Sequence, residues 1–165
     1  MHPTRTGPAP TTNPALYDEL NTGLAALVDG ERDFIANAAN AAALMFHTIP
    51  DVNWAGFYIL RGNELVVGPF QGKPACVRIA LGRGVCGTAA ATRRTVIVPN
   101  VHEFAGHIAC DAASNSEIVV PMLIGDRLIG VLDIDSASFN RFDEADAEGL
   151  RETVSVLLGA SDVRE

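Results

Sequence analysis

The sequence predicts an α+β domain with a mainly antiparallel central sheet flanked by N-terminal and C-terminal helices. Three observations carry that expectation. Apolar residues recur at helical spacing near both ends of the chain, two pairs of β-rich runs between them are joined by short Gly-containing turns, and no linker or internal repeat divides the 165 residues. A hydrophobic content of 48% over that length suits one domain with a substantial core.

Residues 1–13 are rich in Pro and Thr without an apolar run, and are expected to form a disordered tail ahead of a domain spanning 14–160. Leu16, Leu20, Leu24, Leu27 and Val28 then recur at helical spacing over 14–28, and Asp29-Gly30 breaks the pattern. A second helix is expected from Glu31 to about His47, with Ile35, Ala38, Ala39, Ala42 and Met45 on its buried face and Pro50 closing it. Runs 53–60 and 64–70 read as a hairpin turning at Gly62 and Asn63. Residues 84–93 resemble a short helix, and 95–99, 117–124 and 127–135 read as strands, the last two joined through Gly125 and Asp126. A final helix runs from about Asp143, its candidate N-cap, to Leu158. Ala147, Leu150, Val154 and Leu157 form its apolar face, and Gly159 is its expected stop.

Charge narrows the choice of partners. Twelve basic against twenty acidic side chains leave a net charge of −8, and no Lys/Arg-rich block interrupts that field. Nucleic acid and anionic membranes are therefore poor partners. No run approaches the roughly 20 apolar residues of a membrane span, and no secretory pattern opens the chain, so a cytoplasmic location is expected.

The three cysteines, Cys76, Cys86 and Cys110, are an odd number without a CxxC pair, which fits neither a fully paired secretory framework nor the close ligand pairs of structural zinc. His107 and Cys110 offer at most half of a zinc site, and no metal or cofactor is expected. All three thiols fall in the long, Gly-containing middle of the chain, 72–116, where an extended irregular segment is more often a binding loop than a spacer.

The segments NWAGFYI (53–59), GPFQGKPACVRI (68–79), GRGVCGTAA (82–90), GHIACDAASNSEIVVP (106–121) and GVLDIDS (130–136), in this order, resemble the free methionine-(R)-sulfoxide reductases, which are stand-alone GAF-fold enzymes. The resemblance covers roughly 15–158. GVLDIDS is common to many GAF domains, whereas the three-cysteine set is specific; Pro74 and Val77 beside Cys76 depart from the family pattern. The resemblance implies a single GAF-like domain that reduces free methionine sulfoxide with thioredoxin as external reductant. It implies Cys110 as nucleophile, Cys76 as resolving thiol and Cys86 as a relay or backup in recycling. Glu117 and Asp135 fall to the sulfoxide end of the substrate, Asp133 to its ammonium end, and Trp54 and Tyr58 to the wall around the S-methyl group. A homodimer through the helices that cover one side of the sheet is also open.

The residues carry part of this on their own. Small side chains around Cys110 leave room for a substrate. A sulfoxide oxygen leaves poorly unless protonated, so a carboxyl kept neutral by low dielectric has a use. Asp133 and Asp135 alternate about Ile134 and share a strand face, as do Trp54 and Tyr58. Blander readings stand beside these: a cysteine among alanines is usually a small buried hydrophobe, the two aspartates could be solvated strand-end residues, and the aromatics could simply pack the core. Asp111, Ser114 and Asn115 suggest a solvated loop at Cys110, and Asp111 would raise that thiol's pKa. A non-catalytic GAF sensor and a cysteine redox switch are the competing functions.

Overall fold

The computed structural model describes residues 14–108 and 112–163, so the expected tail and Cys110 lie outside the described residues. Eleven elements follow one another: α1 (Pro14–Val28), α2 (Phe34–Thr48), β1 (Trp54–Arg61), β2 (Glu64–Gly72), β3 (Arg78–Ala80), α3 (Gly84–Thr92), β4 (Val96–Val98), a 3₁₀ turn (Val101–Glu103), β5 (Ser116–Ile124), β6 (Arg127–Ser136) and α4 (Glu144–Ala160). The strands form one six-stranded antiparallel sheet in the order β3-β2-β1-β6-β5-β4. The α+β architecture expected from the sequence is the one observed.

The pleat sorts each strand's residues between two cores. Ala55, Phe57 and Ile59 of β1, Ile118, Val120 and Met122 of β5, and Leu132 and Ile134 of β6 pack against α1, α2 and α4. Their alternates Trp54, Tyr58, Val119 and Val131 pack with Val85, Cys86, Ala89 and Ala90 of α3 on the opposite face. Three helices therefore cover one side of the sheet, and a single short helix with the irregular middle of the chain covers the other. The chemistry-bearing residues belong to that second side.

Several local expectations change. α2 begins at Phe34, not Glu31, because Asp33 caps it by accepting from the Ala36 amide at 2.9 Å. Starting the turn there rotates the buried face to Asn37, Ala38, Ala41, Ala42 and Met45, and leaves Ile35 and Ala39 exposed. In α1 Tyr17 replaces Leu27 on the inner face, and Leu27 is 51% exposed. Gly159 does not stop α4, which runs through it to Ala160, where Ser161 becomes the C-cap. At the other end of α4, Asp143 and Asp146 form a reciprocal capping box. Buried Asp146 also accepts from the Tyr17 hydroxyl at 2.7 Å and faces Arg141 Nη1 at 3.5 Å, which pins α1 to α4 and to the segment before it. Short β3 and the 3₁₀ turn carry no periodicity of their own and were not foreseen; β3 exists because β2 offers it an edge, Val66 opposite Arg78 and Glu64 opposite Ala80.

Candidate active site

A cleft open to solvent lies on the α3 side of the sheet. Register places its floor. Trp54 of β1 stands opposite Asp135 of β6, and Glu117 of β5 stands opposite the same Asp135, so an aromatic and two acids converge from three adjacent strands. Tyr58 and Asp133 occupy the same face of β1 and β6, and all five residues line the cleft. Pro74, Ala75, Ile79, Val85 and Ile108 give it apolar walls, and Cys86 of α3 closes one side.

The acids sit in different environments. Glu117 is 7% exposed, and burial, reinforced by the charges of Asp133 and Asp135, holds its carboxyl well above the usual carboxylate range. Asp133 is pushed up to about 6 by burial, against hydrogen bonds with Glu117, Cys86 and Asp135 that pull it down. Its Oδ1 is buried without a hydrogen-bond partner. The floor therefore favours the protonated form at Glu117 more strongly than at Asp133, because burial and two neighbouring acids all act against the Glu117 charge. The view of these aspartates as solvated strand-end residues does not fit Asp133, which is 5% exposed.

Cys86 is a free, buried thiol whose Sγ lies 3.9 Å from Glu117 Oε1. Burial first, then the charges of Asp133, Glu117 and Asp135, push this thiol up, so it stays protonated at neutral pH and is a poor nucleophile. The small-hydrophobe reading suits it in burial, though its neighbours are acids. Cys76 is half-buried and disulfide-bonded. It follows Ala75 of the cleft wall in the segment between β2 and β3. Donor atoms of Cys86, Glu117 and Asp133 all lie within 4.8 Å of one another, so these three are the described residues able to hold a metal ion.

Trp54 and Tyr58 are both core residues and cleft wall. Each is 2% exposed, their rings stack with centroids 5.8 Å apart, and Phe70 stacks on the far side of Trp54 at 5.1 Å. His107 turns toward Glu117, Nε2 to Oε2 at 3.8 Å, and burial, with His102 adding to it, lowers its pKa, which keeps the ring neutral. The solvated-loop expectation fails at Ser114, which is buried and accepts a hydrogen bond from Asn53 Nδ2 at 3.1 Å.

Sequence reasoning missed Arg83. With His107 it supplies the basic side chains among the described residues of the cleft. It is the N-cap of α3, so it lines the cleft beside the positive end of that helix. Its signal in GRGVCGT is an arginine directly before a helix start.

The GAF domain profile matches residues 24–161. The chain is 55% identical over 141 residues to a free methionine-R-sulfoxide reductase of Escherichia coli K12, covering 86% of each protein. It is 43% identical over 150 residues to the Saccharomyces cerevisiae protein of the same name, covering 86% of this chain and 83% of that one. Among solved structures, free methionine-R-sulfoxide reductase from Neisseria meningitidis, in complex with its substrate, superposes with a TM-score of 0.87 at 42% identity, covering 97% of this chain and 95% of that one. By sequence and by fold, the chain belongs to the GAF-domain family of free methionine-R-sulfoxide reductases.

Proposed function

We propose that this protein reduces free L-methionine-(R)-sulfoxide to L-methionine through a sulfenic acid and an intramolecular disulfide that thioredoxin reopens. The observation that carries the reading is the floor of the cleft, where a Glu117 carboxyl with its proton affinity held well up and the more readily ionised Asp133 lie under an aromatic wall. A zwitterionic sulfoxide needs those three things: a proton for the departing oxygen, an anion for the ammonium group and an apolar surface for the S-methyl. Arg83 and the α3 N-terminus suit the substrate carboxylate.

In the first step the Cys110 thiolate attacks the sulfoxide sulfur while Glu117 gives its proton to the oxygen. The protonated oxygen then passes from the methionine sulfur to the Cys110 sulfur as the transient bond between the two sulfurs breaks, so methionine departs with its sulfur reduced and Cys110, oxidised by two electrons, is left as a sulfenic acid. The Cys76 thiol then attacks that sulfur. The S–S bond forms, the S–O bond breaks, and the oxygen leaves as water with the Cys76 proton. The thioredoxin dithiol reduces the disulfide and is itself oxidised. Cys86, held as a thiol against Glu117, serves as a relay or backup in recycling. Asp135 supports Glu117 at the sulfoxide end. The R preference rests on the relatives' names, since both sulfur configurations present an oxygen, a methyl and a chain to the same groups.

NADPH consumption with thioredoxin and its reductase tests the reading, with free (R)-sulfoxide, its S epimer and a sulfoxide-containing peptide offered in parallel. Turnover confined to the free R form is expected. No turnover with any of them would leave a ligand sensor or a redox switch.

A further inference from the structure

The irregular segment 73–77, which carries Cys76, lies between the end of β2 and the start of β3. Two side chains of the cleft wall reach across to it. Trp54 Nε1 donates to the Lys73 carbonyl at 3.2 Å, and the Tyr58 hydroxyl donates to the carbonyl of Cys76 itself at 3.1 Å. At its start Gly72 has φ +127° and passes so near the indole that a Cβ there would lie 2.7 Å from Trp54 Cδ1. Pro74 then biases Lys73 toward extended backbone, and the Val67 amide donates to the Val77 carbonyl at 2.9 Å to fix the far end. The segment is thus held against the aromatic pair in the same structure in which Cys76 is disulfide-bonded.

We propose that Tyr58 is a positioning residue for the resolving step: its hydroxyl, through the Cys76 carbonyl, holds the 73–77 segment in the disulfide-forming arrangement. The inference rests on the reductase reading above. One ring then serves two steps, its face against the substrate and its oxygen on the backbone of the thiol that follows. The hydroxyl is suited to this because burial, with Asp133 adding to it, pushes its pKa far up, so the donor proton is kept throughout the working range. Apolar packing could hold the segment near the cleft, but the directional bond selects one arrangement of Cys76 among many.

The test is a single turnover of pre-reduced enzyme without thioredoxin. Methionine release, the Cys76–Cys110 disulfide and sulfenic acid trapped by a dione reagent are each followed by rapid quench and mass spectrometry. In the wild type the disulfide should closely follow methionine. Tyr58→Phe keeps the ring and its stack on Trp54, and should slow disulfide formation about tenfold relative to methionine release, the effect of one lost hydrogen bond. Trapped sulfenic acid should rise in step. A cleft loosened in general would slow both steps together and leave their ratio unchanged, and that unchanged ratio would overturn the inference while leaving the reductase reading in place. A wild type that releases no methionine would overturn the reading, and the inference with it.

Discussion

Asp133→Asn should make the protein more stable at pH 8 and change it little at pH 4. Asp133 is almost wholly buried, one of its oxygens has no hydrogen-bond partner, and its pKa is pushed from the usual 3.8 to about 6. The folded state therefore binds a proton more tightly than the unfolded chain does. Below about pH 4 the group is protonated in both states and imposes no penalty. Between about pH 4 and 6 the unfolded chain releases the proton first, so the free energy of unfolding falls as pH rises, and above about pH 6 the penalty is complete. A shift of about two units corresponds to roughly 3 kcal/mol, an upper bound on what the neutral amide restores. Urea denaturation of wild type and variant with thiols kept reduced, at pH values from 4 to 8, reads the difference directly. The gain should open through that window and then level off. An equal loss of stability at every pH, or a benefit greatest in acid, would refute the argument. The same variant should lose sulfoxide binding, because the charge that costs stability is the one assigned to the substrate's ammonium group.

Other outcomes follow from the same geometry. Cys110→Ser should release no methionine even in a single turnover, whereas Cys76→Ser should release one equivalent and then fail to recycle quickly. Unchanged steady-state turnover of Cys76→Ser would transfer the resolving role to Cys86. Glu117→Gln should slow the chemical step by about 10²-fold or more with a smaller change in substrate affinity, as measured by single-turnover kinetics and direct binding; equal losses would mark Glu117 as a uniform binding group. Gly149→Ala puts a methyl 2.1 Å from Tyr17 Cγ, where α4 crosses α1. Overpacking of about 3 kcal/mol against a helix gain of about 1 should leave the variant about 2 kcal/mol less stable in denaturant titrations.

The sequence by itself determined the long elements and the pairing within the two hairpins. Period-3.6 runs marked α1 and α4, period-2 runs with Gly turns marked the two hairpins, and Asp133 and Asp135 could be placed on one face because strand alternation is a local rule. The family resemblance further pointed to Cys110, Cys76 and Glu117 as candidates. What only the tertiary structure decided was the environment of each group. Glu117 and Asp133 lie 59 and 75 residues in sequence from Tyr58, the nearer aromatic of the cleft, and nothing local says that one carboxyl is held well above its usual range while the other ionises near pH 6. That division depends on burial and on charges from β5 and β6 meeting across the sheet. The inner face of α2 was misjudged for a related reason: in an alanine-rich helix, hydrophobicity hardly distinguishes one face from another, and the Asp33 cap fixed the phase. Arg83 and the hold of Tyr58 on Cys76 were likewise invisible, because a hydrogen bond across 18 residues is set by where the strands place their side chains. Backbone pattern is written locally in the chain, whereas proton affinity and long-range hydrogen bonds come into being only when distant segments exclude water together.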